Sequence, residues 1–149
     1  MKATAELIKE YLGNSGISDA TLMELAKLCE RKAYEADAII YREQEESTQL
    51  FIVNSGQVDI QYKMPNGKRE TVDVCYKGDF LVWSALVKPH QTNSIGICRA
   101  KAELLAFDGV KLRELCEKDT KLGFCLMSLV AGVIRRRLQA ARKEIVDLR

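Results

Sequence analysis

Short apolar runs separated by turn residues fill the middle of this 149-residue chain, and they constrain its fold more than any other feature. From Lys32 onward the apolar period is two, which is the period of a β-strand. Residues 39–41 and 50–53 are apolar runs typical of buried strands. The acidic segment 43–47 lies between them and predicts a turn.

Two further segments alternate polar and apolar residues. Residues 57–62 predict a strand with one solvated face, and residues 71–76 repeat the alternation. The sequences Asn54-Ser55-Gly56 and Pro65-Asn66-Gly67 precede these segments and predict hairpin turns. Several short strands joined in this way predict an antiparallel roll or barrel.

Helical patterns flank the strands on both sides. Residues 5–12 predict a short amphipathic helix, and Ser18 predicts the N-cap of a second helix with leucines at helical spacing, Leu22, Leu25 and Leu28. After a last strand over 103–107, Asp108 predicts the N-cap of a helix over 109–117. A further cap at Asp119 or Thr120 predicts a long final helix that reaches Leu148.

These elements together predict an α+β fold in one domain. The expected architecture is an antiparallel β-roll (a jelly roll, or double-stranded β-helix) with helices at the N-terminus and a long helix at the C-terminus. The predicted parts are a helical segment over 1–31, the roll over 32–108 and the C-terminal helices over 109–149.

The predicted final helix carries two apolar stripes. One stripe has the 4-3-4-3-4-3 spacing of a coiled-coil seam and consists of Met127, Ala131, Ile134, Leu138, Ala141, Ile145 and Leu148. The other stripe is expected to pack on the roll and consists of Leu126, Val130 and Val133. Two stripes imply two partners, so the seam predicts a homodimer. The alternative is a monomer in which the whole helix lies buried along one edge.

Residues 78–107 carry a pattern that narrows the fold further. Gly78-Asp79-Phe80 is followed by Ser84-Ala85-Leu86, a polar loop over 88–93 and another strand. This pattern resembles the phosphate-binding cassette of the cyclic-nucleotide-binding β-roll, found in the catabolite activator (Crp/Fnr) family and in kinase and channel regulatory domains. The resemblance implies a cassette that presents backbone N–H groups, a Glu for the ribose hydroxyl and an Arg for the cyclic phosphate.

The chemistry of the cassette departs from that family pattern. Val82 stands where the family has a second Gly, and a β-branched residue is expected to resist both positive φ and close approach of a ligand. Trp83 stands where the family has the ribose-binding Glu, and no Arg occurs between Gly78 and Cys98. Gln44 occupies another position where the family usually has Gly.

The candidate ligand pocket follows from the resemblance. Depending on the register of the loop, Gln91, Asn93 or Ser94 takes the position of the missing Arg, whereas Arg99 lies well into the next strand. Trp83 either lines this pocket or fills the core behind it. The candidate pocket residues are Gly78, Val82, Trp83, Ser84, Ala85, Gln91, Thr92, Asn93 and Ser94.

Little in the sequence indicates catalysis or a cofactor. The single histidine, His90, lies in a loop and is expected to be solvated, the alternative being a place at the pocket mouth. No metal-ligand spacing occurs, and nothing matches the cysteine cluster of the family's oxygen sensor or favours the haem of its carbon-monoxide sensor. The cysteines have no C-x-x-C spacing and are expected to be reduced and mostly buried: Cys29, Cys75, Cys98, Cys116 and Cys125. We therefore expect no enzyme, no metal and no cofactor.

Charge and hydropathy patterning argue against nucleic-acid and membrane partners. The formal net charge is only +2. Arg135-Arg136-Arg137, Arg142 and Lys143 are expected to be solvated charges beside the seam, without aromatic residues for base stacking. The family's transcription factors carry a helix-turn-helix after this helix, and the chain ends at Arg149, so we expect no DNA binding in that mode. Residues 1–13 lack a signal-peptide pattern, and no apolar run is long enough for a membrane span, which predicts a cytoplasmic protein.

These observations support a non-enzymatic, homodimeric regulatory or sensor module with a cyclic-nucleotide-binding-like roll. Its pocket is expected to have diverged from cyclic AMP and cyclic GMP, so its ligand is another small molecule or its partner is a protein. The first alternative is a working cyclic-nucleotide receptor in which Thr92, Ser94 and backbone N–H groups replace the Arg. The second is the sensory half of a Crp/Fnr-type transcription regulator. An enzyme is disfavoured because no acid–base pair is visible.

Overall fold

The computed structural model describes residues 2–13 and 15–149. The chain begins with two helices, α1 (Lys2–Leu12) and α2 (Asp19–Leu28). The predicted cap of α2 is confirmed, because the Ser18 hydroxyl accepts a hydrogen bond of 3.2 Å from the backbone N–H of Thr21. The sequence Gly13-Asn14-Ser15-Gly16 favours an end of the first helix here, and Asn14 lies outside the described residues.

Eight strands form two antiparallel four-stranded sheets, which confirms the predicted α+β roll. The first sheet has the order β1-β8-β3-β6, and the second has the order β2-β7-β4-β5. The strands are β1 (Cys29–Tyr34), β2 (Ile39–Tyr41), β3 (Gln49–Ser55), β4 (Val58–Lys63), β5 (Arg69–Cys75), β6 (Phe80–Leu81), β7 (Ile95–Cys98) and β8 (Ala102–Asp108). The first strand begins at Cys29, three positions before the predicted change of period at Lys32.

The first sheet is buried on both faces, which explains why its central strands are continuously apolar. On β3, Leu50 and Ile52 pack against the helices, while Phe51 and Val53 face the second sheet. Strand β8 repeats this division, with Leu105 in the helical core. A strand that is covered on both sides needs no polar face, so it lacks the alternation of a half-exposed strand.

Two details of the predicted strands are wrong. The turn at 54–56 does not form a hairpin, because β3 pairs with β6 and β8 while β4 pairs with β5 and β7. The chain instead crosses there from one sheet to the other, and a Cβ on Gly56 would lie 2.5 Å from the carbonyl oxygen of Lys101. By contrast, Pro65-Asn66-Gly67 does join the paired strands β4 and β5.

The predicted solvated face of β4 is also wrong, because Asp59 and Gln61 are buried. The Asp59 carboxylate accepts hydrogen bonds from Arg99 Nε at 2.7 Å and from Gln57 Nε2 at 3.1 Å. Gln61 Nε2 donates to the hydroxyl of Thr71 at 3.2 Å. Polar side chains can be buried at low cost when they are hydrogen-bonded, so alternation predicts the two faces but not their exposure.

Two helices follow the roll, α3 (Gly109–Lys118) and α4 (Thr120–Asp147). The predicted caps are confirmed, since the carboxylates of Asp108 and Asp119 accept backbone N–H groups from the first turns of α3 and α4. The stripe Leu126, Val130 and Val133 is buried on the roll as predicted. The seam residues of α4 are exposed, which contradicts the alternative of a helix buried along its whole length.

Candidate functional site

An open cavity of about 650 Å³ lies between the second sheet, the cassette and the distal part of α4. Apolar side chains from all three contribute to its walls, including Ile60 on β4, Trp83 in the cassette and Leu138 on α4. Its volume falls within the range of small-molecule sites in proteins. The cavity therefore lies where the resemblance predicts a ligand.

The cassette contains a short 3₁₀ helix (Trp83–Ala85) that Val82 introduces with φ of 61° and ψ of 49°. The expectation that Val82 resists positive φ is wrong, because the residue adopts the left-handed conformation that suits the family's Gly. The isopropyl group of Val82 is buried among Phe51, Leu104 and other residues between the two sheets. Burial of this side chain offsets the backbone strain.

Gln44 repeats this departure. It also stands at a family Gly position and has a φ of 58°. Its backbone N–H donates a hydrogen bond of 2.9 Å to the carbonyl of Thr92, which fixes the turn to the loop after the cassette. Both positions therefore have the left-handed backbone conformation that glycine adopts most easily, although neither residue is a glycine.

Contacts from outside the cavity hold the cassette in place. The hydroxyls of Ser84 and Ser47 are buried and lie 2.6 Å apart. The guanidinium of Arg113 on α3 donates to the carbonyl of Ala85 at 2.6 Å. His90 is half-buried rather than solvated, and its Nδ1 donates to the carbonyl of Ser84 at 2.9 Å. His90 is thus a structural contact of the cassette and does not line the cavity.

The candidate pocket residues separate into two groups. Trp83, Asn93 and Ser94 line the cavity, whereas the remaining six do not: Gly78, Val82, Ser84, Ala85, Gln91 and Thr92. Trp83 also packs against the helical core, so both interpretations of this residue hold.

Two hydroxyls predicted to replace the missing Arg already have protein partners. The Thr92 hydroxyl donates to the carbonyl of Arg42 and accepts from the backbone N–H of Glu45 at 3.0 Å. The Ser94 hydroxyl lies 3.1 Å from that of Tyr41. Burial raises the pKa of Tyr41, so this contact joins two neutral hydroxyls.

Arg137 corrects the expectation that the arginines of the last helix are all solvated. Its Nε donates to Asp73 Oδ2 on β5 at 2.9 Å, and its Nη2 lies 3.8 Å from Cys75 Sγ. Burial raises the pKa of Cys75 to about 12, an effect that the nearby guanidinium of Arg137 reduces, so this cysteine stays a thiol at neutral pH. Arg135 and Arg136 are exposed, as predicted.

Asp73 and Arg137 line the cavity and were not among the candidate site residues. A signal for Arg137 was present in the sequence, because it follows Val133 by four residues and so continues the stripe that faces the roll. A similar signal marks Phe124, which precedes Met127 by three residues and extends the exposed seam. Phe124 is 78% exposed.

No cluster of three or more His, Cys, Asp or Glu side chains suited to a metal occurs within residues 2–13 and 15–149. All five cysteines are free thiols. In the described part of the chain, no helix is both long and apolar enough to span a membrane.

Comparison with known families agrees with the fold. A family model described as the cyclic nucleotide-binding domain matches residues 31–119, which is more than half of the chain. No curated protein sequence matches the chain.

Several solved structures share the fold at low sequence identity. A protein from Geobacter metallireducens GS-15, described as a cyclic nucleotide-binding protein, has a TM-score of 0.78 at 24% identity and covers 93% of this chain and 99% of its own. A cyclic nucleotide-binding domain from Methylobacillus flagellatus KT has a TM-score of 0.84 at 14% identity, with 99% and 85% covered. The catabolite activator protein of Thermus thermophilus has a TM-score of 0.73 at 20% identity, with 93% and 62% covered.

Proposed function

Because the chain belongs to the cyclic nucleotide-binding domain family, we propose that it is a non-enzymatic sensor domain whose ligand is a small molecule other than cyclic AMP or cyclic GMP. The observation that carries this proposal is the lining of the cavity. The cassette contributes Trp83 to it and no cationic side chain, and the two arginines of the lining, Arg136 and Arg137, both lie on α4.

A cyclic phosphate bound in this cassette has no guanidinium of the cassette itself to pair with. A hydrogen bond to a charged group contributes about 1.5–3 kcal/mol, and the indole of Trp83 offers no acceptor to a ribose hydroxyl. Loss of both contacts weakens a micromolar site to roughly millimolar affinity, since each 1.4 kcal/mol is a factor of ten.

The partners of Thr92 and Ser94 argue against the alternative of a working cyclic-nucleotide receptor. Each hydroxyl already makes a contact within the protein, with Arg42 and Glu45 for Thr92 and with Tyr41 for Ser94. A ligand phosphate must break these contacts to recruit either hydroxyl, and neither hydroxyl carries the charge of an Arg.

The output of the domain is proposed to pass through α4. This helix forms one wall of the cavity, and the seam residues Ile134, Leu138 and Ala141 line the cavity while remaining exposed. We infer that the seam pairs with that of a second copy to form a parallel homodimer, because its heptad spacing continues from Met127 to Leu148. A ligand in the cavity then contacts the same helix that forms the dimer.

Isothermal titration calorimetry with cyclic AMP and cyclic GMP tests the proposed selectivity. We expect no heat of binding from either nucleotide at about 100 μM, as a roughly millimolar site predicts. A low-micromolar dissociation constant for either nucleotide overturns the proposal and supports the working receptor. Mass spectrometry of small molecules released from the purified protein then identifies ligands of the cavity.

Restoring the family residues in the cassette tests whether Trp83 and Ser94 are what excludes cyclic nucleotides. We expect the double variant Trp83→Glu, Ser94→Arg to gain measurable cyclic-nucleotide binding, because it returns the acceptor and the guanidinium to an intact frame. The single variant Ser94→Arg is the control and is expected to gain less. If the double variant stays silent although its circular dichroism is native, the two side chains are not what excludes the nucleotide.

A further inference from the structure

Arg137 makes the only polar side-chain contacts, among the described residues, between the distal half of α4 and the roll. After Val133 every residue of the helix is exposed except Arg137, whose side chain is 28% exposed. The Arg137 guanidinium contacts Asp73 and the Cys75 sulfur, and no other ion pair or side-chain hydrogen bond of the described residues joins residues 134–147 to the strands. We propose that the Arg137–Asp73 ion pair is a latch that holds the distal half of α4 over the cavity.

The position of Asp73 suits this role. It lies on β5, the edge strand of the second sheet, opposite Ile60 of β4. Asp73, Ile60 and Arg137 all line the cavity. The latch therefore connects the sheet to the helix across the opening of the cavity, and breaking it frees one wall.

The face of α4 that points towards the roll changes in composition after Val133. Up to Val133 its inward stripe is apolar and buried, whereas the next inward positions, Arg137, Ala140 and Glu144, line the cavity. Gly132 lies at this junction, and a Cβ added there would lie 3.8 Å from Arg136 Nη1, an ordinary contact. Glycine is a poor helix former, so the helix bends or frays there at a lower cost than elsewhere.

The latch links the state of the helix to the state of the cavity. A ligand that enters next to Asp73 and Arg137 either keeps the pair together or competes for one of its charges. A ligand that keeps the pair together favours the helix in its attached position, whereas a ligand that competes for a charge favours a released helix. Ligand binding and attachment of the helix are coupled in this way because both involve the side chains of Asp73 and Arg137. The pair is partly exposed, so salt is expected to weaken it.

Hydrogen–deuterium exchange of the ligand-free protein tests the latch without any knowledge of the ligand. We expect residues 134–147 to exchange about two to five times faster in Arg137→Gln and in Asp73→Asn, as loss of a partly exposed ion pair predicts. Arg135→Gln is the matched control, because it removes a nearby exposed charge that does not line the cavity and leaves the pair intact. Measurements at two protein concentrations separate this effect from protection by dimer formation.

The single tryptophan gives a second readout, since Trp83 lines the same cavity. We expect the emission of Trp83 to shift to longer wavelength in the two latch variants and to stay unchanged in Arg135→Gln. The charge-swapped protein, Asp73→Arg with Arg137→Asp, is expected to return both readouts towards the wild type.

Any of the following exchange results overturns the latch: unchanged exchange in both latch variants, equal acceleration in Arg135→Gln, or acceleration that extends equally to β3. The last result indicates that the pair stabilises the whole fold rather than the helix. Failure of the swap to restore protection also overturns it. None of these outcomes depends on which ligand the cavity binds, so the proposed function is tested separately.

Discussion

Arg113 on α3 donates a hydrogen bond of 2.6 Å to the carbonyl of Ala85, the last residue of the 3₁₀ helix in the cassette. The contact spans 28 residues of sequence and joins the cassette to the helix that leads into α4. We therefore expect a shift of the cassette to be felt by α3, which is directly followed by α4.

We expect Arg113→Gln to lower the free energy of unfolding by about 1–2 kcal/mol, because it leaves the carbonyl of the buried residue Ala85 without its charged donor. Lys111→Gln is the control, since Lys111 is exposed on the same helix, and it is expected to change stability by less than about 0.5 kcal/mol. Urea unfolding followed by circular dichroism measures both. Equal stability of the two variants contradicts this role of Arg113.

Gln44 and Val82 both have a left-handed backbone, but we expect their replacement by glycine to change the free energy of unfolding in opposite directions. Gln44→Gly removes a backbone strain of about 1–2 kcal/mol and loses only an exposed side chain. Glycine also makes the unfolded chain more flexible, which offsets part of this gain, so we expect the free energy of unfolding to rise by about 0.5 kcal/mol. Val82→Gly removes a similar strain but also removes a buried isopropyl group, so we expect a loss of about 1 kcal/mol.

Thermal or urea unfolding of the two glycine variants measures these changes. Asp37→Gly is a further control, because Asp37 is also exposed at positive φ, outside the cassette. A stabilised Val82→Gly shows that strain outweighs burial at this position and contradicts the ranking.

The sequence predicted the fold well because caps, turns and periodicity are local signals. Ser18, Asp108 and Asp119 cap their helices as predicted. The turn at 54–56 was misassigned because a turn sequence does not say whether the chain returns to the same sheet. Val82 was misjudged because its cost is local while its compensation lies between the two sheets, in residues distant in sequence.

The candidate site was less predictable than the fold, and for a similar reason. The cassette residues were found through resemblance, whereas the Arg137–Asp73 pair joins two elements 64 residues apart and depends on how α4 crosses the sheet. The inward direction of Arg137 could be read from its spacing to Val133. Its partner could not, because the exposed or buried state of a polar strand residue depends on tertiary packing, as Asp59 also shows.

Three thiols, those of buried Cys75 and of half-buried Cys29 and Cys116, predict a loss of stability at alkaline pH. Burial raises the pKa of Cys75 to about 12 and those of Cys29 and Cys116 to about 11, against 9.0 for an unperturbed thiol. Above pH 9 the unfolded chain releases these protons and the folded chain keeps them, so stability is present below pH 9 and falls as the pH rises towards 11 and 12.

The Cys75→Ala variant isolates one thiol. When the pH rises from 9 to 10, we expect the free energy of unfolding of the wild-type protein to fall by about 1 kcal/mol more than that of Cys75→Ala, because the variant lacks the Cys75 thiol. Urea unfolding at the two pH values measures the difference. The same thiols are expected to react slowly with iodoacetamide at pH 8, and rapid labelling of Cys75 in native protein contradicts the assignment.

The exposed seam of α4 predicts the oligomeric state. Leu138 is 50% exposed and lies in the middle of the seam, where burial of a leucine contributes roughly 1.5–3 kcal/mol per chain. In a parallel dimer, Leu138→Glu places two carboxylates opposite each other across an apolar interface, so we expect the variant to be monomeric.

Gln139→Glu is the matched control, because it adds the same charge one position away from the seam and is expected to stay dimeric. Light scattering at high micromolar concentration distinguishes the two. If wild-type protein is itself monomeric at that concentration, the seam does not form a homodimer.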